Sequence, residues 1–180
     1  EPAKYAHITD NVNDLFETID KQDAVLIGQP NRIVGVLTAI DVLRYLYGVA
    51  SPFVLIAEIE ISLRALIGQA VDDETLKECC DRSLKHYKDD RRPYQLIDMT
   101  FSDYVQIVNH GESWEMFRRV FGGSRSRTST KLKEVNRLRN DVFHFRREIT
   151  VKDYEDLAEL RDWMLRRAMQ VEITAKGANA

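Results

Sequence analysis

The chain has 180 residues, 44% of them hydrophobic and 31% charged, an ordinary composition for a folded domain with one substantial core. No apolar run approaches the roughly 20 residues of a membrane-spanning helix, and no basic start precedes an apolar export segment. The two cysteines, Cys79 and Cys80, are adjacent, which is neither a disulfide framework nor a metal-ligand spacing. We therefore expect a cytoplasmic protein without a membrane partner.

The net charge of -3 conceals an uneven distribution. Residues 118–147 contain ten lysines and arginines but only Glu134 and Asp141 as acids, so this window carries +8 and the rest of the chain -11. A cation-rich strip on an acidic protein is typical of a polyanion partner. The alternative is a solvated helix face, but such a face normally mixes both signs.

Residues 8–47 have a mixed α/β pattern. "DNVNDLFETI" predicts a helix, "DAVLIG" a buried strand, "QPNR" a turn and "RIVGVLT" a second strand, after which "AIDVLRYLY" begins a helix. Ser51-Pro52 then predicts a new helix start, with the hydroxyl as N-cap and proline at the first helical position. The boundary near 48–51 divides the chain into a small segment, 1–50, and a helical domain, 51–175.

Strand-like runs disappear after Ser51, so the predicted fold is mainly α, a helical bundle preceded by a small α/β segment. Thr100 with Asp103, and Thr150 with Asp153, predict capping boxes. "GGSRSRTST" predicts a flexible basic loop. The expected helices cover 52–69, 73–87, 101–109, 113–121, 131–147 and 151–170.

"GVLTAID", residues 35–41, places a threonine at the end of a strand and an aspartate in the first turn of the next helix. The hydroxyl of Thr38 and the free amides of the helix start could bind a phosphate, and Asp41 could accept hydrogen bonds from ribose hydroxyls. Alternatively, Thr38 and Asp41 only cap the helix.

This segment resembles one cystathionine-β-synthase (CBS) motif, in element order and in its Gly-x-x-Thr-x-x-Asp pattern. The resemblance implies an adenine nucleotide, AMP- or ATP-like, as a regulator held by Gly35, Thr38 and Asp41. CBS motifs occur in pairs, so the second motif would come from residues upstream of Glu1 or from a second chain.

The predicted helix at 131–147, which we call the basic helix, has one predicted buried stripe. A helical wheel places Val135, Leu138, Val142 and Phe145 in it. His144 lies outside that stripe, on the same face as Asn140. Arg139 falls about 140° from His144, so one straight helix does not easily bring both side chains to one substrate atom. Either the arginine curls around the helix, or a second copy supplies the complementary residue in a symmetric dimer.

"RNDVFH", residues 139–144, matches the Arg-x4-His signature of the HEPN superfamily. "FVLIAEIEISLRALI" and "MTFSDYVQIV" precede it in the order of a bacterial HEPN branch often fused to CBS domains. Residues 52–170 thus resemble the all-α HEPN bundle. The resemblance implies a metal-independent endoribonuclease that acts as a homodimer, with Arg139, Asn140 and His144 as its catalytic residues.

The residue types suit that chemistry. Histidine exchanges protons near neutral pH, which His144 would do for the 2'-hydroxyl of RNA. Arg139 would supply a fixed cation over the phosphorane, and Asn140 could orient the phosphate or the histidine. No cofactor is required for cleavage, and no metal site is expected. The arginines expected to hold the RNA backbone are Arg118, Arg119, Arg137, Arg146 and Arg147.

Glu60 falls on the apolar face of the first long helix, where a carboxylate requires a cationic partner. That partner is either Arg64, one turn later, or Arg139, which Glu60 would then orient. The same helix is also apolar on other sides, as expected of a central helix or of a dimer interface.

The sequence thus predicts a nucleotide-regulated ribonuclease of defence, stress response or toxin–antitoxin control. The alternatives are a non-catalytic sensor of nucleotide or RNA and a purely structural dimerisation module.

Overall fold

The computed structural model describes residues 3–178, and the side chains of 3–170. Within that range the protein is mainly helical, with a small three-stranded sheet near its start. The strands are β1 (Tyr5–Ala6), β2 (Ala24–Gln29) and β3 (Arg32–Thr38). The helices are α1 (Val12–Gln22), α2 (Ala39–Ala70), α3 (Asp73–Ser83), α4 (Phe101–Asn109), α5 (Trp114–Phe121), α6 (Arg125–Phe143) and α7 (Val151–Ala178), with short 3-10 turns at Asp89–Arg91 and Leu96–Asp98.

The sheet confirms the predicted strand–turn–strand unit. β2 and β3 pair antiparallel, and β1, too short for a sequence pattern to reveal, pairs parallel with β2. A register shift lies between Ile27 and Gly28. Gly28 has φ 122°, and a Cβ there would fall against the Arg32 carbonyl, so this bend requires glycine.

The chain divides into two compact units, Glu1–Ser51 and Pro52–Ala180. The prediction that a helix starts at Ser51-Pro52 is wrong, because α2 runs without interruption from Ala39 to Ala70. The residues before Ser51 are themselves helical, so Pro52 takes an interior position, where it costs one backbone hydrogen bond. By length and composition α2 could cross a membrane, although 28% of its most apolar window is buried.

The second unit contains the main core. The predicted buried face of α2 is confirmed, because Ile56, Ile59, Leu63 and Leu66 all lie in the core. They belong to one cluster with side chains of α4–α7. The fully buried members from those helices include Phe101, Tyr104, Phe117, Phe121, Leu132 and Leu157. This core fixes α2 and α6 in the unit that carries the candidate site.

Both predicted capping boxes in this unit are confirmed. Thr100 accepts from the Asp103 amide, and Asp103 accepts from the Thr100 amide. Thr150 and Asp153 make the same reciprocal pair at the start of α7. These short-range pairs satisfy amides that a helix start leaves without partners, so local sequence is sufficient to predict them.

The predicted limits of the basic helix are wrong at both ends. Ser124 caps α6 by accepting a hydrogen bond from the Arg127 amide at 3.4 Å. Most of the "GGSRSRTST" stretch, expected to be a flexible loop, therefore lies in the helix. At the other end α6 stops at Phe143 rather than near residue 147.

Candidate active site at the end of helix α6

A Schellman motif ends α6 inside the Arg-x4-His sequence. The Phe145 amide donates to the Val142 carbonyl at 3.3 Å, and the Arg146 amide donates to the Asp141 carbonyl at 3.0 Å. Phe145 itself has φ 50°, in the left-handed region that glycine usually occupies at a helix end. A bulky residue there stores backbone strain directly after His144.

This ending overturns one prediction for the buried stripe. Val135, Leu138 and Val142 are buried as expected, whereas Phe145 is 82% exposed. The wheel assumed a continuous helix through Phe145, but the chain leaves the helix at the His144 cap.

His144 is exposed at the helix end. Its amide donates to the carbonyl of Asn140 at 3.1 Å, so the backbone ties these two candidate residues together. Within the described part of the chain, the His144 ring has no hydrogen-bond or ion-pair partner, and neither a hydrogen bond nor a ring contact joins it to the Arg139 side chain. The imidazole is therefore free to meet a ligand or a second chain.

Arg139 is held from two sides. Its Nε lies 3.8 Å from Glu60 Oε2, and its Cζ lies 4.9 Å from the centroid of the Phe143 ring. Arg64 lies 3.9 Å from the other oxygen of Glu60, so both partners considered for this carboxylate are within ion-pair distance. The Nε of Arg139 is buried without a hydrogen bond among the described residues. The guanidinium is thus positioned but incompletely satisfied.

Two of the five arginines expected to hold RNA lie in a carboxylate network. Arg147 donates to Asp153 at 2.6 and 2.9 Å and to Asp141 at 3.0 Å. Arg137 bonds Glu134 and Asp141. Arg147, followed by Thr150, holds the pKa of Asp153 far below its usual value, and Asp153 in turn raises the pKa of Arg147. This network braces the end of α6 against the start of α7.

The other three arginines that were expected to hold RNA are less engaged by carboxylates. Arg118 lies 3.4 Å from Glu115 across one helical turn. Arg119 and Arg146 are exposed, and within residues 3–170 no carboxylate lies within ion-pair distance of either. Arg146 directly follows the strained cap, so it is the predicted RNA ligand nearest along the chain to His144.

Aromatic and apolar side chains surround this helix end. The Phe53 ring lies 5.4 Å from Phe143 and 6.4 Å from Phe145. The sequence patterns gave Phe143 no role, although aromatic residues on both sides of His144 were a visible signal. We call the exposed residues along one side of α2 the apolar face of α2; they are Val54, Ala57, Ile61, Ala65 and Gly68.

The nucleotide candidates lie in the first unit, where Thr38 and Asp41 bond each other. Asp41 accepts from the Thr38 hydroxyl at 2.5 Å and from its amide at 3.0 Å, and the Asp41 amide donates to the hydroxyl at 3.4 Å. These bonds lower the pKa of Asp41, with the hydroxyl contributing most. Gly35 lies in β3 opposite Ile27. The capping alternative describes these contacts, and nucleotide binding stays a prediction.

Among the described residues, no group of three or more histidine, cysteine, aspartate or glutamate side chains could hold a metal ion. Comparison of the chain with protein-family models, curated proteins and solved structures found no match.

Proposed function

We propose that the chain is a metal-independent endoribonuclease of the HEPN type, with Arg139, Asn140 and His144 as its catalytic residues. The observation that carries the proposal is the end of α6. There an exposed imidazole, without a hydrogen-bond or ion-pair partner among the described residues, directly precedes the strained Phe145, and one turn earlier Glu60 and Phe143 hold a guanidinium. Fixed cations and free imidazoles are the groups that phosphodiester cleavage by an internal hydroxyl requires.

In the proposed reaction, His144 removes the proton of the 2'-hydroxyl as its oxygen attacks phosphorus. The new O2'–P bond forms while the P–O5' bond breaks, and the leaving 5' oxygen takes a proton from a protonated His144, in this proposal that of the second chain. The products are a 2',3'-cyclic phosphate and a 5'-hydroxyl end. Arg139 stabilises the negative charge that develops on the phosphorane oxygens.

The site is proposed to form between two copies of the chain. No hydrogen bond or ion pair among the described residues joins the Arg139 and His144 side chains of one chain, and the apolar face of α2 offers a surface on which a second copy could pack. Val54 and Ile61 on that face are more than half exposed, as are the Phe145 rings beside the site. Burying such a patch is favourable in water, by about 25 cal/mol for each Å² of apolar surface.

An adenine nucleotide is proposed as the regulator, held at a CBS-like segment by Gly35, Thr38 and Asp41. Binding there would bias how two chains associate and so control access to the cleft. The existing bonds between Thr38 and Asp41 imply that a nucleotide must share or replace them. Such control suits a defence or toxin–antitoxin ribonuclease.

The decisive experiment is RNA cleavage in EDTA. His144→Ala and Arg139→Ala should each lower the cleavage rate at least a hundredfold, because each removes a group that acts in the transition state. His7→Ala, which removes an exposed histidine of the first unit, is the matched control and should cleave normally. A wild-type protein that cleaves no RNA of its own host, with or without nucleotide, would refute the proposal.

The rival is a non-catalytic sensor that binds RNA or nucleotide, or a dimerisation module. The carboxylate network favours a protein that does not cleave RNA, because Arg137 and Arg147 pair with Asp141 and Asp153 instead of being open to the RNA backbone. Binding of RNA without cleavage, abolished by salt, would support the sensor.

A further inference from the structure

We infer that a cavity between the start of α6 and helix α7 binds a phosphate group. The cavity measures about 260 Å³. It is lined by the end of α5 and the loop after it, by the first turns of α6, and by Trp163 and Arg167 of α7. Its charged lining residues are Arg127, Lys131 and Arg167, and no aspartate or glutamate lines it. This site is separate from the His144 chemistry and does not depend on it.

No carboxylate among the described side chains neutralises the three cations. None of them has a carboxylate within ion-pair distance there, whereas Arg137 and Arg147, toward the opposite end of α6, are each bonded to carboxylates. Arg127 and Lys131 lie one helical turn apart, a spacing at which like charges repel. An anion in the cavity would remove this repulsion and gain charge-assisted hydrogen bonds from the guanidinium groups.

The backbone of the loop before α6 lets a side chain of the cavity approach it closely. Gly122 and Gly123 have φ 74° and 57°, and a Cβ at Gly122 would lie 2.6 Å from Cζ of Arg167. Glycine therefore lets the Arg167 guanidinium lie against the main chain. The same loop leads into the first turn of α6, where amides without helical partners and the positive end of the helix dipole favour a phosphate.

An aromatic wall completes the cavity. Lys131 Nζ lies 5.9 Å from the centroid of the Trp163 ring, and that ring lies 6.3 Å from Phe121. With room for several water-sized groups, the cavity can hold a phosphate and part of the group attached to it. The phosphate could belong to a free mononucleotide or to an RNA strand, and the ring offers a stacking surface to either.

Binding measurements on the full chain test the inference. The probes are inorganic phosphate, AMP, adenosine and a short RNA with a 5'-hydroxyl, titrated calorimetrically against the His144→Ala protein so that cleavage cannot intervene. Arg127→Gln and Arg167→Gln are made in that background. The matched control is Arg91→Gln, an exposed arginine outside the cavity lining.

We expect phosphate-bearing probes to bind and adenosine not to bind, with Kd at least tenfold weaker in both cavity variants and unchanged in the control. Loss of AMP binding in the cavity variants identifies a mononucleotide site, and loss of RNA binding in them identifies a strand contact. If no phosphate-bearing probe binds, or if binding is equal in the His144→Ala parent and in its Arg127→Gln variant, the inference fails. Arg127 is exposed, so its variant should fold even if Arg167→Gln does not.

Discussion

Glu60 in α2 and Arg139 in α6 form an ion pair, with 3.8 Å between Glu60 Oε2 and the Nε of Arg139. About a quarter of each side chain is exposed, so the pair lies at the edge of the core rather than in open solvent. The carboxylate also lies 3.9 Å from Arg64, which makes it the shared anion of two guanidinium groups. A residue so placed acts on the proposed chemistry through Arg139, as a positioning residue.

Replacing Glu60 with Gln should lower kcat/KM for RNA cleavage by about tenfold to a hundredfold, because Arg139 loses its orienting charge. The free energy of unfolding should change by no more than about 1 kcal/mol. Steady-state kinetics and chemical denaturation measure the two quantities.

Arg64→Gln is the control for Glu60→Gln, because it removes the other partner of the carboxylate without touching Arg139. It should leave kcat largely intact. Equal losses in both variants would mean that Glu60 serves only to hold the bundle together.

The strained cap gives a prediction about stability. Phe145→Gly should be more stable than Phe145→Ala by about 1 kcal/mol, because only glycine adopts the left-handed conformation without a steric penalty. Both variants lose the same aromatic ring, so the contact with Phe53 cancels in the comparison. Equal denaturation midpoints would show that Phe145 carries no backbone strain.

The apolar face of α2 predicts the oligomeric state. Ile61→Glu should convert a dimer into a monomer and lower the cleavage rate with it, because a charge on this face cannot be buried without a partner. Sedimentation measures the association. Ile61 is 60% exposed and Ile97, in a 3-10 turn elsewhere in the same unit, is 69% exposed, so Ile97→Glu is the matched control. A dimer that survives Ile61→Glu would place the interface on another surface.

The carboxylate network predicts a pH dependence. Hydrogen bonds from Arg147 lower the pKa of Asp153 in the folded protein. The charged Asp153 therefore stabilises the folded protein fully above the unfolded-state pKa of about 3.9. This stabilisation is lost as the pH falls through that value toward the folded-state pKa. Asp153→Asn should reduce the free energy of unfolding at pH 7, with the deficit relative to wild type shrinking in acid.

The control for that measurement is Asp156→Asn, which removes an exposed carboxylate that pairs with Lys152 at 3.1 Å. This surface pair should contribute less than about 1 kcal/mol at any pH. A deficit in Asp153→Asn that does not vary with pH would exclude the charge of Asp153 as its source.

The sequence by itself determined the features that depend on neighbouring residues. The β3 strand, the buried face of α2 and the capping boxes at Thr100 and Thr150 all follow from hydrophobic spacing or from bonds that span three residues. These interactions are local, so the same residues produce them in almost any fold. The mainly helical class followed from the same patterns.

Only the tertiary structure decided where helices join and end. Ser51-Pro52 has the pattern of a helix start, yet it lies inside α2 because helical residues precede it. The end of α6 carries no glycine, and Phe145 takes the left-handed position while Arg147 bonds Asp141 and Asp153 across to the start of α7. Contacts that join separate elements, such as the bonds of Arg147 to Asp153 and the pairing of Glu60 with Arg139, depend on the tertiary structure, so sequence patterns alone do not decide them.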